Sequence, residues 1–140
     1  MGIGGYDCVR PDQVEWFRQA NAAIPNDDPS KGKGFLFVHM PLSEYMNLYN
    51  NDNFYGQRGE EICCWALNTG LFGALIEQKT VEWVLCGHDH DNDYYGSIDG
   101  INLGYGRKTG HACYGPKNMQ RGARVFEVTM NPYSIKTWVR

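Results

Sequence analysis

No run of apolar residues in this 140-residue chain approaches the roughly 18 that a membrane-spanning helix requires, so no membrane partner is expected. Dense blocks of Lys or Arg are also missing, and the formal net charge is -3. A protein that wraps a nucleic-acid backbone leaves a basic footprint, so nucleic acid is not an expected partner either. Residues Met1 to Gly5 have neither a basic start nor an apolar centre, and position 6 is Tyr, not Ser or Thr. Neither a secretory signal nor myristoylation is predicted from them, and the compartment stays open. The five cysteines, Cys8, Cys63, Cys64, Cys86 and Cys113, are odd in number and contain no C-x-x-C pair. That argues against a zinc ribbon and against a closed disulfide framework, leaving buried free thiols as the expectation. Internal repeats and low-complexity tracts are absent.

What is present is the composition of a globular domain, with 42% hydrophobic and 14% aromatic residues. A chain of this length forms one compact domain burying about 70% of its unfolded surface. Val14, Phe17 and Ala20 recur at three-residue spacing behind Pro11, which predicts an amphipathic helix from Pro11 to Ala23. Pro25 to Gly34 is breakers and charges, hence a solvated loop. Phe35 to Val38 and Val81 to Cys86 are short apolar runs of the kind that become strands covered on both faces. Tyr45 to Arg58 shows no clean period and predicts irregular chain with a helical turn. Leu71 to Ile76 follows Asn68 and Thr69 as a helix that could extend backwards through Glu60 to Leu67. Asp99-Gly100 between Tyr94–Ile98 and Ile101–Tyr105 predicts a hairpin, and Arg124–Met130 with Ser134–Val139 a closing antiparallel pair at the sheet edge.

The chemistry concentrates at the ends of the two apolar strands. His39 closes the first, and Gly87-His88-Asp89-His90 follows the second. Ligands of α/β sheets gather outside the carboxyl ends of strands, so the three histidines are expected to converge. In extended chain, residues two apart point to one side with Cα atoms roughly 6.5 to 7 Å apart, which would aim His88 and His90 at one place. Gly87 would let the chain leave the strand without a Cβ in the way, and Pro41 would fix the exit after His39. Neutral imidazoles suit zinc, iron or manganese when carboxylates complete the shell.

A strand ending in His39-Met40-Pro41, followed by one ending in Gly87-His88-Asp89-His90, resembles the calcineurin-like metallophosphoesterases. Asp12-Gln13 with Trp16-Phe17, Asn68 to Phe72, His88 to Tyr94, Gly104-Tyr105-Gly106, His111 and Tyr114-Gly115 resemble its purple-acid-phosphatase-like branch. The resemblance implies an α/β fold in which residues 1–140 are the C-terminal half of a four-layer α/β/β/α sandwich, with a mixed sheet and flanking helices. It also implies phosphomonoester hydrolysis at a pair of divalent or trivalent ions (Fe, Mn or Zn). In that scheme His39 and His88 bind one ion and His90 the other. His111, near Arg107 and Lys108, is a candidate substrate contact or else a solvated turn.

The family's N-terminal motifs, Asp-x-His, Gly-Asp and Gly-Asn-His, do not occur. Two dications close together require anionic ligands between them, so this chain alone is expected to bind one ion weakly or none and to be inactive. A phosphoester substrate and a missing N-terminal half or another chain are the implied partners, and an uncovered sheet face would favour a homodimer. The alternative is a catalytically dead binding or interaction domain that keeps a partial metal site. Three other motifs lead nowhere or stay open. Asp89, Asp91 and Asp93 alternate as in a calcium loop, but Tyr94 and Gly100 stand where Gly and Glu are needed. Gly104 to Gly110 lacks the order of a phosphate-binding P-loop. A mononuclear zinc site of Cys86, His88 and His90 competes with a buried Cys86 thiol.

Overall fold

The computed structural model describes residues 6–50 and 53–140. The chain begins with helix α1 (Pro11–Ala22), whose first turn is set by Pro11 and by the Arg10 N–H donating to Gln13 Oε1 at 2.8 Å. Strand β1 (Gly34–Phe37), helix α2 (Tyr45–Asn50), strand β2 (Tyr55–Gln57) and helix α3 (Leu71–Gln78) follow. Strands β3 (Val81–Cys86), β4 (Asp93–Ile98), β5 (Ile101–Tyr105), β6 (Arg124–Met130) and β7 (Tyr133–Val139) complete it. The fold is α/β, with five strands in the order β1-β3-β5-β4-β2. Strands β1, β3 and β5 are parallel, whereas β4 and β2 add on antiparallel, so the sheet is mixed.

Two faces of the sheet carry different cover. Val84 pairs with Leu103 and Cys86 with Tyr105, so these four point to one face. There they join Val14 and Phe17 of α1, Tyr45 and Leu48 of α2, and Leu71, Ala74 and Leu75 of α3 in a single core. Burying each of these larger apolar side chains stabilises the fold by about 1.5–3 kcal/mol. The Tyr45 hydroxyl is satisfied inside this core, 2.9 Å from the Val84 carbonyl and accepting the Gly104 N–H at 3.1 Å. The other face carries Phe35, Trp83 and Tyr95 beneath Phe126 of β6, with ring centroids 5.4 Å from Phe35 to Phe126 and 5.0 Å from Trp83 to Phe126. Beyond the reach of this cover, Phe37 is 73% exposed and Tyr55 68%.

Several expectations change here. β6 and β7 pair with each other but form a separate two-stranded sheet, and are not an edge of the main one. Side chains hold them in place: Arg124 pairs with buried Asp93, which Arg107 also grips from the preceding segment, the Arg124 Nε donates to the Tyr105 carbonyl at 2.7 Å, and the Tyr133 hydroxyl donates to Glu82. β2, expected as irregular chain, is a short strand on β4. Helix α3 does not extend backwards, because Gly70 takes φ +85° and its N–H donates to Asn68 Oδ1, while Ile62 and Trp65 reach the core from irregular chain. The Asp99-Gly100 hairpin is as predicted, with φ of +48° and +82° at its two central residues. Of the five thiols only Cys86 is buried, and Cys63 and Cys113 are exposed. Among the described residues no helix is long and apolar enough to cross a membrane.

Candidate metal centre

The parallel strands β1, β3 and β5 release their chains at one end of the sheet, and the ladder runs on past them. Val38 N–H donates to Leu85 O at 2.9 Å, Gly87 N–H to His39 O at 3.0 Å, and Gly106 N–H to Cys86 O at 2.8 Å. His39 and His88 are thereby set side by side, with His39 Nε2 3.2 Å from His88 Nδ1 and the rings edge to face at 5.1 Å. One ring nitrogen can donate to the other, or both lone pairs can face a shared cation. Two nitrogens on one zinc, each about 2.0–2.1 Å away at a tetrahedral angle, stand about 3.3 Å apart, so the observed spacing fits two imidazoles on one ion. Tyr6 packs its ring edgewise on His88 at 4.9 Å.

The turn after β3 differs from the extended chain expected. Gly87 has no positive φ, and a Cβ there would meet only His39 O at 3.9 Å, so neither strain nor space demands glycine. The left-handed residue is His88, at φ +65°, with the Asp89 N–H donating back to Gly87 O at 2.8 Å. An i to i+2 bond around a positive φ is the rarer and strained γ-turn, costing of order 1–3 kcal/mol, and such strain clusters at functional sites. The turn sends His90 elsewhere. Its Nδ1 lies 2.7 Å from the Tyr114 carbonyl and its ring stacks on Tyr114 at 4.3 Å. Only an N–H can bond that carbonyl, so Nδ1 carries a proton, and in the neutral ring Nε2 presents a lone pair.

Buried acceptors hold this turn in place. Asp89, 3% exposed, receives the Tyr105 hydroxyl at 2.6 Å and the Cys63 N–H at 3.2 Å. Burial pushes the Tyr105 hydroxyl well above its ordinary pKa, which keeps it a donor. Asn92, fully buried, accepts the Gly59 and Glu60 N–H groups, both at 3.1 Å. Glu60 accepts the Asp91 N–H at 2.6 Å and the Tyr114 hydroxyl. Desolvation, with Glu60 as acceptor, pushes the Tyr114 hydroxyl up to about 12. Cys63 enters the site by this route: its Sγ, a His88 nitrogen and an Asp89 oxygen lie within 4.8 Å of one another. Desolvation and Asp89 push its thiol up. The structure therefore brings His39 and His88 together, attaches His90 to Tyr114, and leaves His111 exposed on a bend of the segment after β5. Cys86 sits in the core, its thiol pushed well up by burial. Sequence reasoning missed Cys63, Asp89 and Tyr105 as members of the site. The first lies in chain without periodicity, and the other two act through contacts that spacing does not reveal.

Comparison with known proteins agrees with the resemblance. The chain is 35% identical to "Probable inactive purple acid phosphatase 29" of Arabidopsis thaliana, over 97% of this chain and 39% of that protein. It is 30% identical to "Probable inactive purple acid phosphatase 14" of the same plant, over 96% of this chain and 38% of that protein. It is 29% identical to "Phosphatase DCR2" of Saccharomyces cerevisiae, over 97% of this chain and 25% of that protein. No protein-family model and no solved structure matches. The chain is a relative of purple-acid-phosphatase-like proteins along nearly its whole length, and it spans 39% or less of the length of these three.

Proposed function

We propose that, as a relative of purple-acid-phosphatase-like proteins, this chain supplies His39, His88 and His90 to a dinuclear metal centre that hydrolyses phosphomonoesters, and that it corresponds to the C-terminal half of the catalytic sandwich. The observation that carries the reading is the 3.2 Å approach of His39 Nε2 to His88 Nδ1 at the carboxyl ends of two adjacent parallel strands. His90, with Nε2 available and Nδ1 fixed by the Tyr114 carbonyl, supplies a third imidazole. A pair of iron, manganese or zinc ions bound there would polarise the phosphoryl group and lower the pKa of a water. The chain's own contribution is orientation: the strand ends aim His39 and His88, and Asp89 and Glu60 anchor the turn between them and His90.

The motifs that carry the bridging anionic ligands do not occur in this sequence, and in this reading those ligands come from an N-terminal half or another chain, which would also cover the sheet face bearing Phe37 and Tyr55. Alone, the chain is then inactive or nearly so, and with that face in water it forms a homodimer. A monomer by light scattering at high concentration would count against the dimer. Two of the relatives are named as inactive, which favours a second reading: a binding or interaction domain with a partial metal site.

Metal analysis together with aryl-phosphate hydrolysis tests the first reading. The purified chain, offered manganese, iron or zinc, should not turn over; two ions per chain with turnover, abolished in His88→Ala, would overturn the incomplete-site reading. Joined to the N-terminal part of an active relative, it should hydrolyse the ester and lose both ions and rate in His88→Ala. Failure of that joined protein to hydrolyse, while folded and metal-loaded, would favour the binding domain.

A further inference from the structure

The three imidazoles have no negative charge among them, yet a neighbouring group does. Cys63, His88 and Asp89 bring a thiol, an imidazole and a carboxylate within 4.8 Å of one another. We infer that these three side chains form a site for a single zinc ion, filled in this chain without help from any other. The donor set differs from that of the phosphoesterase centre and shares only His88 with it.

Three features carry the inference. Charge is the first: a thiolate and a carboxylate neutralise a dication, which a histidine-only set cannot do. Softness is the second, since thiolate and imidazole together select zinc over manganese, magnesium or calcium. The third is placement. Ligand atoms on a tetrahedral zinc stand about 3.3–3.8 Å apart for bonds of about 2.0–2.3 Å, so the group needs to close by at most about 1–1.5 Å, within reach of side-chain rotation.

The backbone already holds the pieces together. The Cys63 N–H is bonded to both Asp89 oxygens, at 3.4 Å to Oδ1 and 3.2 Å to Oδ2, so the Cys63 backbone is held beside the carboxylate while its side chain can still rotate. The Tyr105 hydroxyl anchors Oδ2 at 2.6 Å and leaves Oδ1 with spare accepting capacity. That is the outer-shell support a ligating carboxylate requires. Water takes the fourth position, as in zinc sites with three protein ligands. On binding, the sulfur–zinc bond replaces the S–H bond and the proton goes to solvent, with no change of oxidation state.

Cobalt substitution reads the thiolate directly, independently of phosphatase activity. The chain should take up one zinc or one cobalt, and the cobalt form should show a thiolate-to-metal charge-transfer band in the near ultraviolet. Cys63→Ser should lose the band and weaken zinc binding by more than the roughly 10- to 100-fold expected from losing an outer-shell partner. Cys64→Ser should keep both. In the unaltered chain, zinc should shield Cys63 from alkylation more than Cys113, a measurement that does not depend on any variant folding. Bound cobalt without the band, a band surviving in Cys63→Ser, or equal alkylation of Cys63 with and without zinc would overturn the site. None of those outcomes bears on the phosphoesterase reading, whose own failure would appear as a folded, metal-loaded joined protein that does not hydrolyse the ester.

Discussion

Two segments leave the carboxyl ends of neighbouring parallel strands, and each carries a histidine that sequence reasoning singled out. The turn after β3, residues 87–92, contains Asp89 and Asn92, both buried and both accepting backbone N–H groups from residues 59–63. The segment after β5, residues 106–123, is mostly exposed, with Met119 its one buried residue. Its internal ties are Gly122 N–H to Lys108 O and Arg107 Nη1 to Gln120 O, and Tyr114 on His90 and Glu60 and Arg107 on Asp93 join it to the rest, none of them beside His111. A histidine is held in one place when buried acceptors fix the chain on either side of it, and the first segment has them where the second does not around His111.

Removing Asp89 should weaken that contrast most. Asp89→Ala leaves the Tyr105 hydroxyl and the Cys63 N–H without their acceptor, and about 2–4 kcal/mol should be lost by denaturant unfolding. A change below about 0.5 kcal/mol would erase the distinction between the segments. Asn92→Ala strands two N–H groups nearer the surface and should cost about 1–3 kcal/mol in the same measurement. Tyr114→Phe keeps the stack on His90 but loses the bond to Glu60, for about 0.5–1.5 kcal/mol. The Tyr114 pKa is raised by the fold to about 12. Its contribution is therefore whole below the ordinary tyrosine value of about 10 and is lost as pH rises from there through 12. Alkaline destabilisation in that window should be smaller in Tyr114→Phe. His111→Ala should change stability by less than about 0.5 kcal/mol, and a larger loss would show the second segment to be held as firmly as the first.

The same contrast explains what could be read from the residues. The residues predict β3 to its observed bounds, Val81–Cys86, from a short apolar run, and α1 to within one residue from three-residue spacing behind Pro11. β2 escaped notice because three residues paired to a distant strand leave no period, and Gly56 at φ +120° looks like a turn. The β6–β7 pair was recognised, but nothing in a hairpin's sequence says which sheet it joins. At the site, the residue types and their nearness to strand ends located His39 and His88. The left-handed backbone of His88, the redirection of His90 to Tyr114 and the approach of Cys63 all arise from tertiary hydrogen bonds and could not be read from spacing.

Because the terminal ribbon shares no backbone ladder with the central sheet, it can lift away without breaking a single main-sheet rung. Its attachment is a set of side-chain fasteners, with Arg124 on Asp93 and on the Tyr105 carbonyl at one end and Tyr133 on Glu82 at the other. Amide protons along the ribbon should therefore exchange with deuterium on their own schedule, faster than those of β3 and β5. Loosening the Asp93 grip should quicken the ribbon's exchange while the inner strands keep theirs.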